Sequence, residues 1–201
     1  MLAGYINRKV APHQESMQWA RFAVESRLNI QTRMNSEPML DQLVEMWLIN
    51  NRATLKLIEE LSDDALRATL SKRGGRDVAR QLAHVHEVRT SWAEITSKTN
   101  RNAKLPHFAK GESPNKKQLK SSLEHSAKAI EITIRESWAD GGKIPSFKRG
   151  LMPMIGYLIA HESHHRGSIM LTLKQSGVGI PEELNGAFGI GRSCKFWSAA
   201  A

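Results

Sequence analysis

Cysteine is almost missing from this chain. The single one, Cys194, excludes an internal disulfide and any multi-cysteine metal cluster, so a metal ion here would have to be held by histidine and carboxylate. Long apolar runs are missing too. No stretch approaches the roughly 18 residues needed to cross a bilayer, and the opening Met1-Leu-Ala-Gly-Tyr-Ile-Asn-Arg-Lys has neither a hydrophobic signal core nor a cleavage site. The expectation is a cytoplasmic protein with no membrane role. Aromatics make up only 6% and never interleave with a basic stretch, which matters because 29 basic against 20 acidic residues give a net charge of +9. Such a charge raises nucleic acid as a partner. The basic residues are scattered, however, with only short clusters such as Lys116-Lys117 and Arg73-Gly-Gly-Arg76. No dedicated nucleic-acid face is expected, and the charge reads as a positively biased, solvated surface.

Alternating strand patterns bounded by hairpin turns are also lacking, whereas apolar residues at spacings of three and four recur throughout. The fold class predicted is all-α. Ser36 can cap a first helix whose stripe is Leu40, Leu43, Val44, Trp47, Asn51, Leu55, Ile58 and Leu61. Ser62-Asp-Asp offers a stop and a new cap for a short turn through Leu70, and Gly74-Gly75 breaks the chain. A second long helix is predicted from about Arg76 to Ser97, with an apolar arc of Val78, Leu82, Val85, Val88, Trp92 and Ile95. Thr99 to Glu112 reads as a loop. Ser113-Pro114 places a cap before a first-turn proline and starts a third helix with the stripe Leu119, Leu123, Ile130, Ile134 and Trp138, ended by Asp140-Gly-Gly-Lys. The fourth runs from Leu151-Met-Pro through Ile155, Leu158, His161, His165, Ile169 and Leu173 to Gly177. Four long amphipathic helices imply a four-helix bundle.

Both ends fall outside that plan. Residues 1–33 contain a helical pattern around Met17, Trp19, Phe22 and Ala23 and read as an N-terminal extension, with the bundle domain over residues 34–201. A shorter product starting at Met34 is expected to fold. The irregular C-terminal tail from Pro181 carries Phe188, Phe196 and Trp197, aromatics suited to anchoring it on the bundle.

Histidine is the residue type that stands out against this background. In His161-Glu-Ser-His-His165-Arg-Gly167, His161 and His165 lie one helical turn apart on one face and can reach a common ion, while His164 points elsewhere. Two motifs fit these letters. His161-Glu162-x-x-His165 matches the zinc-protease pattern with Glu162 as general base; alternatively, the pair awaits a third histidine from another helix. Proteases of that type bind peptide along a sheet edge, and no sheet is predicted. His13, His107 and His125 occupy the extension, the loop and a polar helix face, which suits solvated residues. His84 and His86 flank opposite edges of the second helix's arc, each about 20° outside it, and periodicity does not choose between them. Burying two imidazoles without a partner costs on the order of 1–3 kcal/mol each, so a metal is the easier account of the pair.

The segment Arg76-Asp-Val-Ala-Arg-Gln-Leu-Ala-His84 followed by Trp92, together with Ala160-His161-Glu-Ser-His164-His165-Arg166-Gly167 and Gly177-Val-Gly-Ile-Pro181, resembles the DinB-like (YfiT-like) family of four-helix-bundle metalloproteins. The resemblance covers roughly residues 36–190; Ser168 stands where members commonly have glutamine. It implies that His84 joins His161 and His165 around a divalent ion, with His86 and His164 outside the ligand set, and that the protein forms a homodimer, as members often do. By the same resemblance the expected activity is that of a metal-dependent enzyme on a small molecule, of the transferase type that activates a low-molecular-weight thiol. A hydrolase of a small ester or amide is the alternative, and a non-enzymatic stress-response or binding bundle is a third. Three neutral histidines leave the ion its full charge, favouring an anionic ligand at the open position. Zinc, nickel and iron all suit such donors. Four further roles are expected: Arg166 bracing the bundle through a carboxylate or the tail, Gly167 permitting close helix approach or tail packing, Trp47, Trp92 and Trp138 lying mostly in the core, and Trp47 with Asn50 or Asn51 lining the pocket mouth.

Overall fold

A computed structural model describes residues 37–70 and 75–184. The predicted Ser36 cap, the extension around residues 17–23 with His13, the Met34 start, Gly74, and the tail with Cys194 and its aromatics lie outside the described residues. The chain divides into two compact units, Met1–Gln42 and Leu43–Ala201. Of the first, residues 37–42 are described, and they are helical. All that follows concerns the second.

Its described residues form helices and loops, with no strand, in the order α1 (helical from residue 43 to 60), α2 (Asp63–Arg67), α3 (Val78–Thr96), α4 (Lys98–Ala103), α5 (Lys116–Ala139) and α6 (Leu151–Gln175), then a 3₁₀ turn, Glu182–Leu184. The bundle predicted from periodicity is thus present. No described helix is long and apolar enough to cross a membrane. Ser62 caps α2 by accepting the Ala65 amide, and Asp77 caps α3 by accepting that of Arg80. Gly177, with φ of 80°, follows the end of α6 as expected.

Two boundaries differ. The third long helix starts at Lys116, not at Pro114, because Asn115 and Gln118 form a reciprocal capping box that satisfies two amide groups. Ser113 is instead a cross-link: its hydroxyl donates to Asp77 at 2.7 Å and accepts from Arg67. Within the predicted loop, Lys98–Ala103 is a helix. It has no apolar stripe to announce it and is held by polar bonds to α5: Asn100 donates to the Ala129 carbonyl at 2.8 Å and to the Thr133 hydroxyl at 3.1 Å, and the Lys98 amide donates to Glu136 at 3.1 Å. Lys104, with φ of 48°, ends it.

One apolar cluster closes one end of the bundle, formed by Leu57, Ile58 and Leu61 of α1, Val78 and Leu82 of α3, Leu119 and Leu123 of α5, and Ile169 and Leu173 of α6. Farther along, the core becomes ionic. Arg89 is fully buried and grips Glu162 bidentately, Nε to Oε1 and Nη2 to Oε2, both at 2.6 Å. Arg89 Nη1 also donates to Asn51 at 2.8 Å and to the Leu123 carbonyl at 3.1 Å, and the guanidinium lies 4.9 Å from the Trp47 ring centre. Trp47 donates in turn to the Ala127 carbonyl at 2.9 Å. Asn50 donates to Glu162 at 2.7 Å. Arg166 braces the same group through Thr54, Asn50 and Ser163, and lies 3.7 Å from Glu162. The expected brace through a carboxylate is therefore present.

This ionic centre turns α3. Beyond Val85 its buried residues are His86, Arg89, Thr90 and Ala93, whereas Val88 and Trp92 are half-buried and Ile95 is 54% exposed, contrary to the predicted arc. Of the three tryptophans, only Trp47 is fully buried. Trp47, Asn50 and Asn51 do not line a pocket mouth, because the network consumes them. A side chain on Gly167 would meet nothing within 4 Å among the described residues, so this glycine serves no close helix approach there.

Removing one partner of a buried ion pair strands the other. Glu162→Ala in the metal-free protein should lower unfolding free energy by about 3–5 kcal/mol in urea titration, and the double change Arg89→Met with Glu162→Leu should cost clearly less than the sum of the single changes. Additive costs would show that the pair is not coupled.

Candidate metal centre

The ionic centre fixes α6 against α3, and three imidazoles converge beside it. His84 comes from α3 and His161 and His165 from successive turns of α6; one ring nitrogen from each lies within 4.8 Å of the other two. His161 Nε2 and His165 Nε2 are 3.2 Å apart. The His84 ring meets both edge-on, with centroids at 5.3 and 5.1 Å. Two nitrogens bound at about 2.0–2.1 Å to one tetrahedral ion stand about 3.3–3.4 Å apart, so the α6 pair has the separation such an ion requires. The Nδ1 atoms of His161 and His165 are buried with no hydrogen-bond partner among the described residues.

Electrostatics favour neutral ligands. Burial lowers the affinity of His84 and His161 for a proton, with Arg76 and His161 adding to the effect at His84. At His165, burial first and then the neighbouring His161 and His84 push the pKa down to about 4. Imidazoles that resist protonation offer lone pairs to a cation across the physiological range. Among the described residues none of the three is paired with a carboxylate, so a bound divalent ion would keep its charge.

The structure also separates His84 from His86, which periodicity left open. His86 is 1% exposed and points away from the triangle, its Nε2 2.9 Å from the Pro106 carbonyl and its ring against Phe108. It holds the chain that follows α4. His164 is exposed, its ring 5.4 Å from that of His165. His125 lies exposed on α5, as expected, whereas His107 is tied between Glu87 at 2.7 Å and Glu94 at 3.3 Å. Glu162 cannot act as a protease base: at 1% exposure both its oxygens are taken by Arg89, and Asn50 adds a further bond. The sequence motif picked out two histidines that the structure brings together with His84, and the glutamate between them belongs to the buried ion pair instead.

Beside His84 a cleft of about 240 Å³ opens, lined also by Glu87, Val88, Ser91, Trp92 and Tyr157. Tyr157 was not singled out in the sequence. It lies one turn before His161, and its ring stacks on that histidine at 6.0 Å and 29°; the spacing of four was the available signal.

The model of the DinB family matches residues 33–183 of this chain. Uncharacterised protein YrdA of Bacillus subtilis (strain 168) is 22% identical over 155 residues, which is 71% of this chain and 86% of that protein.

A histidine with a depressed pKa binds fewer protons folded than unfolded between the two values, so stability rises with pH across that interval. For His165 the interval runs from about 4 up to the ordinary 6.5. The metal-free protein should therefore lose stability progressively as pH falls from 6.5 towards 4 in chemical denaturation, and His165→Leu should flatten that slope. An unchanged slope in the variant would contradict the assignment.

Proposed function

The chain belongs to the DinB family, and from that premise we propose that it is a divalent-metal-dependent enzyme acting on a small molecule, of the thiol-dependent transferase type. His84, His161 and His165 hold the ion. The observation that carries this reading is the triangle itself: three partly buried, weakly basic imidazoles from two helices, with two nitrogens 3.2 Å apart. Zinc, nickel or iron would suit this donor set. When bound, such an ion supplies a Lewis acid that stabilises a thiolate near neutral pH.

The protein's own residues provide the remainder. The three imidazoles retain the ion without neutralising it, which favours an anionic sulfur over a neutral ligand. Arg89 and Glu162 hold α3 and α6 in the register that presents the triangle. The cleft beside His84 offers a substrate a place next to the triangle, with Trp92 and Tyr157 among its walls.

Protein purified without an affinity tag should carry about one divalent ion per chain by elemental analysis. His84→Ala and His161→Ala should each lose it, while His86→Ala should retain it. A panel of low-molecular-weight thiols should support turnover that stops on chelation while the far-ultraviolet circular dichroism persists. Stoichiometric metal in His84→Ala would overturn the site, and unfolding on chelation would make the metal structural.

A further inference from the structure

The cleft and the triangle share His84, so the cleft adjoins the triangle. The composition of the cleft indicates what lies in it. Trp92 and Tyr157 meet edge to face at 6.0 Å, and Phe147 backs both, at 5.5 and 6.1 Å. Tyr157 is held on its other side by the His161 ring, yet remains 40% exposed. An aromatic side chain pinned by several rings and still open to the cleft is a preformed contact surface, because its ordering has already been achieved in folding.

The polar lining is largely committed elsewhere. One Glu87 oxygen bonds to His107 at 2.7 Å and the other accepts the Phe108 amide at 2.8 Å. The first of these bonds raises the proton affinity of His107, with Glu94 adding to the effect. With both Glu87 oxygens already bonded, a ligand cation would find little to recruit it in the cleft and would approach a triangle suited to a positive ion. Apolar ligands face no such penalty. At about 240 Å³ the space is smaller than the roughly 300–1,000 Å³ of pockets that take drug-sized ligands. A volume of that size suits a compact group such as a single ring.

We infer that this cleft binds a compact aromatic ring, seated against Trp92 and Tyr157, on a substrate whose anionic head lies at the histidine triangle. The position of the head rests on the proposed metal site; the preference of the cleft for a ring does not. Trp92 and Tyr157 thereby become specificity residues, since they touch the part of the substrate that does not react.

Two ligands with the same metal-binding head, benzohydroxamate and acetohydroxamate, isolate the ring. Titrated calorimetrically into zinc-loaded protein, benzohydroxamate should bind at least about tenfold more tightly, the effect of burying a phenyl group against aromatic walls. Trp92→Leu and Tyr157→Leu, with metal content and helicity checked, should reduce that ratio to about threefold or less, within the range left by generic burial. Benzyl alcohol added to metal-free protein should also shift the Trp92 and Tyr157 ring resonances and spare those of Trp138. Equal affinity of the two hydroxamates for loaded protein, or a ratio unchanged in both variants, would overturn the subsite. If the protein takes up no zinc but benzyl alcohol still shifts the two rings, the subsite stands and the metal reading falls. If zinc binds and benzyl alcohol leaves both rings unmoved, the metal reading stands and the subsite falls.

Discussion

The ion pair between Arg89 and Glu162 is the constraint on which the rest of this structure depends. Both residues are inaccessible to solvent, and removing two such charges from water costs several kcal/mol per ion before any attraction is counted. The cost is offset only because every polar atom is answered. Arg89 has two bonds to the carboxylate, one to Asn51 of α1 and one to a carbonyl of α5, with its face over Trp47. Glu162 also accepts from Asn50. One buried charge pair therefore touches all four long helices. Apolar side chains tolerate a slip along a helix groove; a bidentate fork does not, and this fixes the register of α3 against α6.

That register produces the triangle. His84 stands five residues before Arg89 and His161 one before Glu162, so the bond that locks α3 to α6 also sets the approach of the imidazoles on the neighbouring face of the same helices. The chemistry of the two neighbouring clusters is opposite. In the ionic centre, donors and acceptors are matched within the protein. At the triangle three nitrogens with reduced basicity face one another, and among the described residues no carboxylate is paired with them. A self-sufficient polar core beside an incomplete one is the arrangement expected of a scaffold and the site it supports.

The bundle and the histidine pair of α6 were legible in the sequence because each rests on local spacing, whereas His84 came from the family resemblance alone. Ser62, Gly177 and the apolar stripes marked helix ends and faces, and His161 with His165 formed a pair one turn apart. The remainder was set by tertiary contacts. Helix α4 has no apolar stripe and exists through Asn100 and Glu136, which only the fold brings together. His84 and His86 were equivalent by angle; the buried Arg89 breaks the tie by rotating α3 so that one faces α6 and the other the Pro106 carbonyl. A signal was nonetheless present. Val78, Leu82, Val85, Arg89 and Ala93 keep a spacing of three and four, as do Ile155, Leu158 and Glu162. An arginine and a glutamate each occupying a core position of its own helix are complementary, and reading them as a pair would have turned both helices correctly.

X-ray absorption at the zinc edge of reconstituted protein tests the three-histidine centre most directly. The account predicts a first shell of nitrogen and oxygen only, at about 2.0–2.1 Å, with outer-shell scattering from three imidazoles that falls to two in His84→Ala under conditions forcing occupancy. A sulfur neighbour at about 2.3 Å, or a spectrum unchanged by loss of His84, would contradict it.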